Sequence, residues 1–182
     1  PQYVKNWFLS FEEVIAVMPN LKIDYRNTLP NDPLYQNFQW SLQLIGVPEA
    51  GDESTGGLNS AGDTIVLAVI DNGFDVNQND LSSNIWRNSG EIPGDFIDND
   101  GNGYIDDYLG LNVQAQNDDN ANATHGTAVA GIIGAQGDNS LGLTGINWNI
   151  QLMLVSIVHC IDEIIEAYDY VLGFRHQYNR ST

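Results

Sequence analysis

The sequence predicts an α/β fold with a mostly parallel sheet, and three observations carry that expectation. Two continuous apolar runs, Ile65-Val-Leu-Ala-Val-Ile70 and Ile150-Gln-Leu-Met-Leu-Val155, read as strands covered on both faces, as parallel strands are. Residues 161–178 place Ile161, Ile164, Ile165, Tyr168, Val171 and Leu172 at helical spacing, which predicts an amphipathic helix with that face buried. Between the runs, Thr124-His-Gly-Thr-Ala-Val-Ala-Gly-Ile-Ile-Gly134 reads as a small-residue helix. Strands alternating with helices imply a parallel sheet with helical cover.

In chain order, residues 1–28 differ in composition from the rest of the chain, with Trp7, Phe8, Phe11, Val14, Ile15, Val17 and Met18 leading into Pro19-Asn20 and Asp24. They read as a leader or linker ahead of a domain at 29–182. Residues 52–63 are rich in Gly and Ser and read as an exposed loop. The strand at 64–70 then delivers a carboxylate, Asp71, at its end, followed by the turn Asn72-Gly73. Open α/β sheets build their sites at the carboxyl ends of strands. His125 is the only ionisable residue of the 124–134 helix, and Gly126, Ala128, Ala130 and Gly131 would let that helix approach the sheet closely. Taken singly, a strand-end Asp is most often a turn former and a His beside Gly a helix-start residue.

Between them lies an acidic insert at about 88–110, whose centre reads Asp98-Asn-Asp100-Gly-Asn102-Gly103-Tyr104-Ile-Asp106-Asp107. Asp98, Asp100, Asn102 and Asp106 stand at positions 1, 3, 5 and 9 of an EF-hand-like loop, with Gly103 at the sharp turn and Tyr104 placed to offer a carbonyl. Position 12 is Leu109, so a complete EF-hand is excluded. Clustered carboxylates repel unless a cation neutralises them, which favours Ca2+ over a merely solvated acidic turn.

Composition narrows the partners. Net charge is −18 with only six Lys and Arg, which argues against nucleic acid or an anionic membrane and in favour of cations. With 42% hydrophobic residues the chain can build one cored domain, and no apolar stretch approaches the ~20 residues of a membrane span. The single Cys160 forms no internal disulfide and reads as a buried small hydrophobe.

Asp and His are the supporting members of a serine-nucleophile triad, and the order Asp before His is the subtilisin order. Val69-Ile-Asp-Asn-Gly-Phe-Asp75 and His125-Gly-Thr-Ala-Val-Ala-Gly131 resemble the Asp and His motifs of the subtilisin-like serine proteases, and the resemblance runs from about residue 29 to 182. It implies a three-layer subtilisin-like fold, here its N-terminal half, with Asp71 and His125 catalytic and peptide or protein substrates. It further implies a secreted or cell-surface protease made as a zymogen. The Val-Met-Pro-Asn stretch ending at Asn20 is similar to the end of a subtilase propeptide, with a surface strand and linker as the alternative, and Asn31-Asp-Pro-Leu-Tyr35 is similar to the start of mature domains. The insert resembles one found in some bacterial members. The resemblance also implies a second calcium site from Asp32, Asp80, Gln136, Asn139, Leu141 and Leu143, where an ordinary polar turn at 138–142 is the equal alternative.

The family's nucleophile lies in a Gly-Thr-Ser motif, and no Ser of this chain has Gly-Thr before it. The reading is therefore a fragment expected to be inactive by itself, with Ser and the oxyanion-hole Asn beyond it. Other departures are Asn72 where Ser or Thr is commoner, Gln78-Asn79 in place of His-Pro, and no Gly-Ser-rich substrate-edge loop at 156–161. The rivals are a catalytically dead homologue and a non-enzymatic calcium-binding module, of which the second leaves the His motif unexplained.

Overall fold

A computed structural model describes residues 2–11, 14, 17, 28–120, 123–158 and 160–179. Its centre is strand β3 (Gln151–Ser156), with β1 (Val66–Asp71) on one side and β2 (Leu111–Asn112) on the other, all parallel. The β1–β3 register runs from Val66 opposite Gln151 to Asp71 opposite Ser156. Parallel neighbours need a crossover, and helix α5 (Thr124–Gly134) lies within the one from β1 to β3.

The alternation of β3 explains why both of its faces are apolar. Leu152 and Leu154 join Val69, Phe74, Leu81, Ile85 and Ala130 in a core beneath α5. Met153 and Val155 join Trp86, Leu111, Ala167, Tyr170 and Phe174 in a second core beneath helix α6 (Ile161–Asn179). Helix, sheet and helix thus form three layers, the α/β arrangement that the apolar runs predict.

Before the sheet come α1 (Gln2–Phe8), α2 (Tyr35–Phe38), α3 (Trp40–Leu44) and α4 (Val47–Glu53). Tyr35 and Leu42 are buried. The Gln39 side chain clamps residue 144 from both sides, donating to the Thr144 carbonyl at 2.7 Å and accepting from its N–H at 2.9 Å. The propeptide-like stretch from Met18 to Asp24 lies outside the described residues.

Three expectations need correction. The loop expected to start at Asp52 starts at Ser54, because α4 continues to Glu53. Helix α6 is present, but it buries Ala167, Tyr170 and Phe174 while Ile161, Ile165, Tyr168 and Leu172 of the expected face are exposed. The reason is aromatic: Phe174 packs edge-on against Trp86 and Tyr170, and Tyr170 against Tyr104, at centroid distances of 4.9–5.3 Å. Cys160 is exposed rather than buried, and it directly precedes α6.

The orientation of α6 is testable by unfolding. Phe174→Ala is expected to cost about 3–5 kcal/mol in denaturant titration, whereas Ile165→Ala at the exposed face stays within about 0.5 kcal/mol. A larger loss at Ile165 than at Phe174 would mean that the helix buries the other face.

Candidate active site and acidic cluster

Asp71 closes β1 and His125 opens α5, so the two meet where the strand ends and the helix begins. His125 Nδ1 lies 2.8 Å from Asp71 Oδ1 and 3.0 Å from Oδ2. The Asp71 side chain is only 14% exposed and the imidazole 72%. A carboxylate facing Nδ1 selects the tautomer with the proton on that nitrogen, which leaves Nε2 as the basic atom. The arrangement can therefore accept a proton at the open side of the ring while the carboxylate steadies the resulting imidazolium.

Close approach is what brings the pair together. A Cβ at Gly126 would stand 2.3 Å from the Gly73 carbonyl oxygen and 3.1 Å from Asp71 Cβ, so only glycine fits there. Thr127 fastens the same junction, its Oγ1 accepting from the Asp75 N–H at 2.8 Å and donating to the Ala123 carbonyl at 2.5 Å. The Asp71 backbone is held in turn by the Ile157 N–H, which donates to its carbonyl at 2.8 Å.

The residues expected at a second cation site also converge. Asp32 accepts from the N–H groups of Asp138 and Asn139, and Asp80 accepts from Asn139 Nδ2 at 2.9 Å and from the Leu143 N–H at 2.9 Å. Gln136 joins through its N–H on the Asp80 carbonyl, and the Leu141 N–H donates to Asn139 Oδ1. Both carboxylates are buried. Asn139 turns its amide nitrogen rather than its oxygen toward Asp80, so in this arrangement the loop satisfies its carboxylates internally.

The acidic insert is built differently from its EF-hand-like spacing. Asp98 accepts from the N–H groups of Gly101, Asn102 and Gly103, closing a tight turn. Asn102 Oδ1 takes the Tyr104 N–H. Asp106 stands in the left-handed region at φ 51° and gives both oxygens to the N–H groups of Gly94, Asp95 and Phe96. It does not join Asp98 and Asp100. The carboxylates that converge are instead those of Glu91, Asp100 and Asp107, with oxygens all within 4.8 Å of one another.

Glu91 and Asp107 are absent from the sequence-based ligand set. Asp107 directly follows a residue of that set, but the six residues separating Glu91 from Asp98 hide Glu91 from any local spacing rule. Asn88 Nδ2 bridges Asp100 and Asp107 at 2.9 Å each, and Tyr170 OH donates to Asp107 at 2.7 Å. Burial pushes the carboxyl pKa of both Glu91 and Asp107 up, against hydrogen bonds that pull it down. The Tyr104 hydroxyl is pushed up to about 12, first by burial and then by the charge of Glu166.

Comparison with known proteins bears on the whole region. Residues 62–174 match the model of the subtilase family. The chain is 37% identical over 147 residues to subtilisin-like protease 1 of Plasmodium berghei (strain Anka), covering 80% of this chain and 24% of that protein. It is 29% identical over 119 residues to the halolysin-like extracellular serine protease Nep of Natrialba magadii, covering 65% of this chain and 18% of that one. It thus spans about a quarter or less of the length of these relatives. A solved structure of proteases from Pseudoalteromonas arctica PAMC 21717 matches 76% of this chain and 42% of its own, at 24% identity and a TM-score of 0.48. No described helix is long and apolar enough to cross a membrane.

The Gly126 junction yields a direct test. Gly126→Ala is expected to lower stability by about 3 kcal/mol, as overpacking against a backbone carbonyl does. An unchanged denaturation midpoint would show that α5 can withdraw from β1 without cost.

Proposed function

From the premise that the chain belongs to the subtilase family, we propose that it carries the Asp and His members of a serine endopeptidase triad. The observation that carries the reading is the Asp71 to His125 contact at 2.8 Å, made by the two motifs in the order the family uses. In this reading His125 Nε2 takes the proton of a serine hydroxyl as that oxygen attacks a peptide carbonyl, then returns it to the leaving amine. Asp71 keeps the ring in the required tautomer and stabilises the imidazolium. The serine is contributed outside these 182 residues, which hold no Gly-Thr-Ser motif.

The substrates are peptides and proteins, the protein is secreted or at the cell surface, and a propeptide is its first partner. Support for secretion comes from a relative whose name calls it extracellular. Calcium is the stabilising ion. Asp32, Asp80, Asn139 and the backbone near Gln136, Leu141 and Leu143 would hold it beside α5, with the ion displacing the N–H and amide contacts that the two carboxylates now accept, and the acidic insert offers further oxygen ligands. Bound there, it neutralises carboxylates and tightens loops, and it takes no part in moving protons at His125.

Two measurements test the peptidase reading. The 182-residue chain is expected to take no label from a fluorophosphonate probe, and labelling at any of its serines would reassign the nucleophile. In the protease that contains the serine, His125→Ala is expected to cut kcat by several orders of magnitude and Asp71→Asn by about 10⁴, with KM little changed. A variant retaining near-normal turnover would remove that residue from the mechanism.

A further inference from the structure

Asparagine followed by glycine occurs twice in the chain, at 72–73 and at 102–103. In such a pair the glycine nitrogen, with no side chain beside it, can reach the amide carbon of the asparagine side chain and close a five-membered ring. Closure has two conditions. The asparagine side chain must be free to turn, and the glycine N–H must not be held by an acceptor.

The structure meets neither condition at 102–103. Asn102 Nδ2 donates to Asp107 at 2.9 Å and to Asp100 at 3.3 Å, and its Oδ1 accepts from the Tyr104 N–H at 2.8 Å. The Gly103 N–H donates to Asp98 Oδ2 at 2.9 Å. Hydrogen bonds to carboxylates are the stronger kind, so they keep the amide carbon away from the nitrogen. Both conditions are met at 72–73. The Asn72 side chain is exposed and has no hydrogen-bond partner among the described residues, while its backbone N–H donates to Asp71 Oδ1 at 2.7 Å. The Gly73 N–H likewise meets no acceptor among the described residues, although Gly73 is buried and buried N–H groups are nearly always paired. Exposure does not separate the two pairs, since Asn102 is exposed as well.

We propose that Asn72 is a site of spontaneous deamidation beside the Asp71–His125 pair. The Gly73 nitrogen gives its proton to water or hydroxide and bonds to Asn72 Cγ. The bond from Cγ to Nδ2 then breaks, and that nitrogen leaves as ammonia with a proton taken from water. One further water opens the resulting succinimide. Breaking the bond between Cγ and the Gly73 nitrogen gives aspartate, and breaking the bond between the main-chain carbonyl carbon of residue 72 and the Gly73 nitrogen gives isoaspartate. No oxidant, reductant or cofactor is consumed. Aspartate adds a negative charge at the neighbour of Asp71. Isoaspartate lengthens the main chain by one methylene group ahead of Gly73, whose carbonyl oxygen faces Gly126 so closely that a Cβ there would stand 2.3 Å away. The modification is independent of the peptidase reading, but its effect on turnover rests on that reading. A main chain lengthened at this junction disturbs the approach of α5 to β1 that holds His125 at Asp71, which makes the site a one-way clock for inactivation.

The test is incubation of the full chain at mildly alkaline pH, native and in urea. Peptide mapping by mass reads the exchange of amide for carboxyl, and isoaspartyl methyltransferase labels the isoaspartate. In the native chain conversion at Asn72 is expected to be at least about tenfold faster than at Asn102, since freeing Asn102 means breaking hydrogen bonds to charged groups. In urea both are expected to convert at similar rates, and Asn72→Gln and Asn72→Ser to abolish labelling at that position. Native conversion at Asn72 no faster than at Asn102 would overturn the proposal, as would a native Asn72 that stays intact while the urea sample converts. In the protease that contains the serine, turnover per intact chain is expected to fall in step with isoaspartate at 72 and to be retained by Asn72→Gln. Equal loss in Asn72→Gln would overturn the clock. A protease inactive from the outset would overturn the peptidase reading alone, because conversion at Asn72 is read by mass and not by activity.

Discussion

The distance between the first turn of α5 and the end of β1 is the constraint on which the rest of this structure depends. Parallel pairing of β1 with β3 obliges the chain to cross over, and α5 makes part of that crossing directly over the sheet. With a side chain at position 126 the helix would meet the Gly73 carbonyl before it met the sheet. Glycine removes that stop, and the Thr127 hydroxyl then ties the helix start to Asp75. Asp71 and His125 are in reach because two backbones are close, so their geometry is a property of the fold and not of flexible side chains finding one another. A site held on the ends of a strand and a helix is more tightly fixed than one assembled on loops.

Strand β3 couples the two halves of the molecule. Its even-numbered leucines support the α5 layer and its Met153 and Val155 support the α6 layer, so α5 and α6 share one strand from opposite faces. Tyr170 belongs to the α6 core through Phe174 and to the acidic insert through Asp107. The insert is therefore anchored to the same sheet whose other face carries His125, and its order bears on the stability of the sheet.

What was legible in the sequence was what is local. Continuous apolar runs gave β1 and β3, and the strand-end carboxylate and small-residue helix marked Asp71, His125 and the close approach at Gly126. The buried face of α6 was not legible, because the helix carries two apolar stripes. Isoleucines at 161, 164 and 165 compete with Ala167, Tyr170 and Phe174, and periodicity cannot choose between them. The choice falls to Trp86 and Tyr104, aromatic partners distant in sequence. The convergence of Glu91 with Asp100 and Asp107 was not legible for the same reason. A spacing rule presumes one continuous loop around its ligand, whereas the left-handed Asp106 turns out toward Gly94 and Phe96 and Glu91 arrives from the preceding turn.

The chain handles its carboxylates in two opposite ways, and the difference separates chemistry from structure. Asp71 is partly exposed and faces the His125 imidazole, a ring that is itself open to solvent. Glu91 and Asp107 are buried among neutral donors, and amide and hydroxyl dipoles lower the cost of a buried charge without cancelling it. Burial without an opposite charge pushes both carboxyls above their ordinary range. A proton would satisfy one carboxylate at a time, and the three oxygens within 4.8 Å would still repel. In a chain of net charge −18 that local repulsion adds to the self-repulsion that opposes compactness.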